Sequence, residues 1–248
     1  MNYQKLSKIT LIFLLMISAS SFAQHTIYLI GDSTMANKKN PEVNPEHGWG
    51  QVLPQFFNDK VVVDNRAVNG RSSKSFKSEG RWDDVLKTLK KGDYVFIQFG
   101  HNDQKFKKPE RYTNPHTGYR NNLINYVLEA REKGAIPILF SSIVRRNFNE
   151  FGTFIDTHES YPLEVRLVAL EYQVPFIDLQ FKTEQLEESY GVEKSKTLHL
   201  HFEAGENAYY KEAKHDDTHL SKLGATEVAK LAVAELKDKV DGFSKFIK

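Results

Sequence analysis

The sequence contains no cysteine. That excludes disulfides, thiolate metal sites, iron–sulfur clusters and a cysteine nucleophile. Glycine (14) and proline (8) are too few in 248 residues for a collagen-like or low-complexity chain. Charge of one sign is lacking as well: 34 Lys+Arg face 32 Asp+Glu. A chain so balanced is not built to bind nucleic acid by neutralising phosphates, nor to lie on a membrane surface. No glycine-rich phosphate loop occurs, and beyond the first two dozen residues no apolar run is long enough to span a bilayer. What is present is globular: 40% hydrophobic residues, with 17 Phe and 11 Tyr. The length suits one domain, which at this size buries roughly 70% of its unfolded surface and needs no staples.

The first segment has the three-part order of a secretory leader. Met1 to Lys8 is short and basic, Ile9 to Ile17 is apolar, and Ser21 and Ala23 occupy the −3 and −1 positions before Gln24. The apolar run is shorter than the roughly 20 residues of a spanning helix. We therefore expect residues 1–23 to be a cleaved signal peptide and 24–248 a single exported domain, periplasmic or extracellular. Removing Lys5 and Lys8 leaves 32 charges of each sign.

Short apolar runs alternate with amphipathic ones. The predicted strands are Thr26–Gly31, Val61–Ala67, Tyr94–Gly100, Ile136–Ser142 and Pro175–Leu179. Their near-continuous apolar character predicts strands covered on both faces. The predicted helices are Trp49–Phe57, Glu79–Lys91 capped by Ser78, Arg120–Lys133 stopped by Gly134, His158–Gln173, and Ser221–Lys237 with Ser221 as cap. This alternation predicts an α/β fold, a three-layer doubly wound sheet of five parallel strands. Residues 104–118 and 198–217 are expected to be long loops.

The first strand ends in Gly31-Asp32-Ser33-Thr34. A Ser at the carboxyl end of a first strand is well placed for a nucleophile, although it is equally an ordinary helix cap. Met35 breaks the G-x-S-x-G elbow of α/β-hydrolases. A Ser hydroxyl needs a base, and the base needs a partner that fixes its tautomer. Asp216-Asp217-Thr218-His219 supplies an Asp-x-x-His pair in which the carboxylate can reach Nδ1 and leave Nε2 for a Ser. Asp217 is the competing acid. Donors for an oxyanion are available at Gly70, after the second strand, and at Asn102, after the third. In a sheet ordered 2-1-3-4-5 the first three strands are neighbours, so these loops converge.

Together these blocks resemble the SGNH (GDSL-type) hydrolase superfamily. Six ordered segments are similar to its rhamnogalacturonan acetylesterase branch: Gly31–Ala36, Gly48–Gln51, Asn69–Phe76, Glu79–Trp82, Phe99–Asp103 and Asp216–Leu220. The resemblance implies a flavodoxin-like SGNH fold and hydrolysis of acetyl esters on a pectic polysaccharide. It implies Ser33 as nucleophile, His219 as base and then acid, and Asp216 as its orienting partner. It implies an oxyanion hole from the N–H groups of Ser33 and Gly70 and the Asn102 amide. No metal or organic cofactor is implied. The alternatives are the same chemistry on acetylated xylan or other small esters, and a non-catalytic glycan-binding module.

Further candidates surround this set. Arg71 and Lys105 are candidate partners for galacturonate carboxylates, with Lys107, Lys108 and Arg111 nearby. Asp32 and His101, flanking Ser33 and Asn102, are candidate substrate contacts. Tyr209, Tyr210 and Trp82 could stack on sugar rings, though aromatics are more often core. His199 and His201 fall on one face of an extended segment but lack a carboxylate to complete a metal site. They are expected at the surface or substrate rim.

Overall fold

The computed structural model describes residues 24–248; the expected leader, 1–23, lies outside the described residues. Seven strands form two sheets: β1 His25–Gly31, β2 Val61–Asn65, β3 Tyr94–Gln98, β4 Ile136–Phe140, β5 Phe176–Ile177, β6 His199–Phe202 and β7 Lys214–Leu220. The first five make a wholly parallel sheet in the order β2-β1-β3-β4-β5. This is the predicted α/β architecture. The helices are α1 Trp49–Val52, α2 Ser73–Ser78, α3 Arg81–Thr88, α4 Arg120–Glu132, α5 Tyr161–Glu171, α6 Leu179–Lys194 and α7 Lys222–Lys239.

The two-residue alternation of β1 divides the core into two layers. Ile27 and Leu29 face one cluster, with Trp49 of α1 and Val228, Ala232 and Leu236 of α7. Tyr28 and Ile30 face the other, with Trp82 of α3, Tyr126 of α4 and Val165 of α5. Helices thus cover both faces, which explains why the strands are continuously apolar. Trp82 is wholly buried and edge-on to Tyr126, so it is a core residue and meets no sugar.

Several elements differ from expectation. Strand ladders end earlier than the apolar runs: β3 stops at Gln98 and β4 at Phe140. Ser78 does not cap α3. It is the last residue of α2, and α3 starts after Gly80 in a left-handed turn. The expected loop 198–217 is irregular over 203–213, but its ends pair as the antiparallel hairpin β6–β7, and α6 fills sequence to which no element was assigned. Ser221 does cap α7, accepting from the Gly224 N–H at 3.1 Å.

Candidate active site

Beyond β1 the chain makes a tight turn around Asp32. Its Oδ1 accepts from the N–H and the hydroxyl of Thr34, both at 2.9 Å. This local closure holds Ser33 at the carboxyl end of the sheet, 8% exposed. The Ser33 Oγ lies 3.0 Å from His219 Nε2.

His219 comes from β7, where the ladder is irregular. His199 pairs with Leu220 but Leu200 pairs with Asp216, so residues 217–219 bulge outward. The bulge turns Asp216 back upon His219. Asp216 Oδ2 lies 2.9 Å from His219 Nδ1, and its Oδ1 accepts from the N–H groups of His219 (2.9 Å) and Thr218 (3.0 Å). Burial pushes the Asp216 carboxyl up, but the His219 ring and these N–H groups outweigh it and hold the acid well below the usual range. Asp217, the competing acid, points elsewhere: its Oδ1 lies 2.9 Å from both Arg146 Nη1 and His201 Nε2.

The donors assemble from two further loops. Gly70 has φ +77, a left-handed conformation that favours glycine, and a Cβ there would meet the Arg111 guanidinium at 3.2 Å. Neither the Ser33 nor the Gly70 N–H has a partner among the described residues. Asn102 is buried, and the direction of its amide is fixed. Lys105 Nζ, which can only donate, binds its Oδ1 at 2.9 Å. One Nδ2 hydrogen goes to the Arg71 carbonyl at 3.1 Å, which leaves the other free. Asp103 locks the same two loops from below, accepting from Ser73 Oγ (2.6 Å), Ser73 N–H and Thr113 Oγ1 (2.8 Å). Burial pushes its carboxyl up to about 7 against those donors.

Lys38 carries no signal in the sequence, yet it ties the site together. Its buried ammonium binds the Ser33 carbonyl (2.6 Å), Asn69 Oδ1 (2.8 Å) and Glu46 Oε1 (2.8 Å). Glu46 in turn bridges to Ser221, just past His219. His199 is likewise buried rather than on the rim. Its ring lies between Glu187 Oε1 (2.7 Å) and the His219 carbonyl (3.2 Å), bracing the strand that carries the base.

The further candidates are sorted by burial. Asp32 and His101 are enclosed beneath the site, His101 Nδ1 lying 3.3 Å from Asp32 Oδ2. Their polar side-chain contacts are with each other and with Thr34, so the structure gives the expected substrate contact no support. Burial pushes the His101 ring down to about 3, so it is neutral at ordinary pH. Burial would raise Asp32, but His101 and the Thr34 donors hold it below its usual range. Lys105 reaches Asn102, as described. Arg71 is at the rim, with Nε on Glu79 Oε2 (2.9 Å).

A Ser hydroxyl on an oriented imidazole, with unpartnered N–H groups at Ser33 and Gly70 and a free Asn102 amide hydrogen on the neighbouring loops, forms a constellation suited to acyl transfer. A family model for GDSL-like lipases/acylhydrolases matches residues 29–226, and the chain belongs to that family. It is a carboxylic ester hydrolase. Over 212 residues it is 42% identical to rhamnogalacturonan acetylesterase RhgT of Bacillus subtilis, covering 86% of this chain and 89% of that one. It is 30% identical over 229 residues to the rhamnogalacturonan acetylesterase of Emericella nidulans, covering 85% and 83%. Its fold is similar to the crystal structure of YxiM from Bacillus subtilis, with TM-score 0.76 and 28% identity. That match covers 89% of this chain but 58% of the other, so this chain spans little more than half of YxiM.

Proposed function

We propose that the protein is an exported serine esterase that removes O-acetyl groups from acetylated rhamnogalacturonan. The observation that carries the reaction is the unbroken line Ser33 Oγ–His219 Nε2 (3.0 Å) and His219 Nδ1–Asp216 Oδ2 (2.9 Å). The substrate class is supported by similarity to two rhamnogalacturonan acetylesterases over most of the chain. Export is supported by the order of residues 1–23, and no described helix is long and apolar enough to cross a membrane.

The proposed mechanism runs in two steps. Ser33 Oγ attacks the acetyl carbonyl as His219 Nε2 takes its proton. Asp216 holds the ring in the required tautomer and stabilises the imidazolium. Negative charge develops on the carbonyl oxygen, where the N–H groups of Ser33 and Gly70 and the free Asn102 amide hydrogen converge. The tetrahedral adduct collapses, and the sugar alcohol departs with the proton from His219. Water, activated by the same imidazole, then releases acetate and restores Ser33.

The decisive measurement is acetate release by the protein and its Ser33→Ala variant from acetylated rhamnogalacturonan, acetylated xylan and p-nitrophenyl acetate. We expect release from the pectic polymer that is lost in Ser33→Ala. Release confined to xylan or the small ester would retain the mechanism and discard the substrate. N-terminal sequencing of the secreted chain should begin at Gln24.

A further inference from the structure

Acyl transfer constrains where the leaving sugar lies. Its departing oxygen takes the proton from His219 Nε2, so the glycan extends from Ser33 toward β7 and away from the Asn102 amide. Beside Lys38, whose ammonium binds the Ser33 carbonyl, the surface opens into a cleft of about 470 Å³. Its walls are the loop after the nucleophile, the segment Ala67–Asn69 ahead of Gly70, and Tyr209 and Tyr210 from the β6–β7 connection. Lys38 binds both the Ser33 carbonyl and Asn69 Oδ1, so the floor of the cleft is joined to the reacting centre.

We propose that this cleft is a glycosyl subsite for a uronate-bearing residue of the acetylated chain, with Tyr209 as its platform and Lys39 as its carboxylate partner. The proposal rests on the pectic reading above. Its size falls within the roughly 300–1,000 Å³ of small-ligand sites. Tyr210 is anchored: its ring stacks on Phe202 at 6.1 Å, and Lys214 Nζ lies 5.4 Å from its centroid. Tyr209 stands edge-on to it at 5.2 Å and is 38% exposed, an aromatic surface braced from behind. The C–H face of a pyranose packs on such a ring while its hydroxyls reach the amides of Asn37 and Asn69 on the facing walls. Charge selects the kind of sugar. Lys38 and Glu46 compensate each other at 2.8 Å. Lys39 lines the same cleft, is exposed, and has no carboxylate partner among the described residues. The lining therefore carries one uncompensated positive charge, which favours an anionic sugar over a neutral one. The basic stretch at 105–111 lies instead beside Asn102, on the side that receives the oxyanion.

Binding separates the subsite from catalysis. The Ser33→Ala protein is titrated calorimetrically with de-acetylated rhamnogalacturonan oligosaccharide, alone and combined with Tyr209→Ala or Lys39→Glu. Both side chains are exposed, so neither change should disturb folding. We expect each to raise Kd by about tenfold or more. In the active protein, kcat/KM on the acetylated polymer should fall relative to kcat/KM on p-nitrophenyl acetate by the same factor. Equal Kd in parent and both variants overturns the subsite, as does the absence of binding by the parent. Acetate release is scored separately. Ser33-dependent release with unchanged binding overturns the subsite and leaves the pectic reading standing; no release from the polymer overturns that reading and the subsite with it.

Discussion

At the scale of single residues the site depends on side chains that never meet substrate. Lys38 is buried with each of its three partners within 2.8 Å. Lys38→Met would leave the buried Ser33 carbonyl without its donor and the half-buried Glu46 without its cation, while the exposed Asn69 stays solvated. We expect it to lower stability by about 1–3 kcal/mol, read from urea unfolding, with kcat falling more than KM rises. Lys105 holds the Asn102 amide oxygen, so any effect on the proposed oxyanion hole passes through Asn102. Asn102→Ala should cut kcat by about 10²–10³ in a folded protein. Lys105→Met should cost less, since it frees the amide to turn but keeps it in place. Equal losses in the two variants would show that Lys105 does more than orient. None of this was legible from sequence for Lys38, because one Lys in a polar loop has no periodicity and no motif. Ser33, Gly70, Asn102, Asp216 and His219 were legible because each lies at a strand end or in a fixed spacing; the structure joins Ser33, His219 and Asp216 directly and ties Asn102 to the loop of Gly70 through the Arg71 carbonyl.

At the scale of elements the bulge in β7 decides which carboxylate serves His219. A regular ladder would alternate residues between faces; the bulge brings residues three apart together instead. Asp216→Asn should lower kcat by about 10⁴, by analogy with other oriented imidazoles. Asp217→Asn should leave most of kcat but loosen the hairpin, since Arg146 and His201 both lose the negative charge on their shared acceptor. Parallel losses in both variants would contradict that division. The hairpin escaped sequence reading because Lys214–His219 holds no apolar residue to mark a buried face. Helix α2 escaped because Ser72-Ser73-Lys74-Ser75 has turn composition, although Ser72 and Ser75 form a reciprocal capping box that marks its start. Helix α6 escaped because its buried positions include Gln180, Thr183 and Glu187. Strands β1, β3 and β4 were clear by contrast, since nearly every residue of each is buried.

At the scale of the whole molecule, buried ionisable groups set the response to pH. His101 and His158 are held neutral by burial, whereas in the unfolded chain they protonate below about 6.5. The unfolded state therefore binds more protons, and stability is lost as pH falls below about 6.5. Asp103 opposes this: raised by burial to about 7, it makes stability fall as pH rises between about 4 and 7. Two histidines outweigh one aspartate, so the acid side should be the weaker. His101→Gln should flatten the acid limb of the urea-unfolding free energy by up to about 1.4 kcal/mol per pH unit. An unchanged slope would exclude His101 as the responsible group.

The hydrogen bond between Ser33 and His219 joins positions 186 residues apart in the chain. At roughly 5–20 residues per second, about 10–40 s of translation separate their appearance. A nascent chain that already carries Ser33 lacks the His219 imidazole, and so cannot yet perform the proposed reaction. Two fragments divided anywhere in that interval would each be inert and would regain activity only on reassociating. Ester hydrolysis is therefore a direct readout of when the two ends of this chain have met.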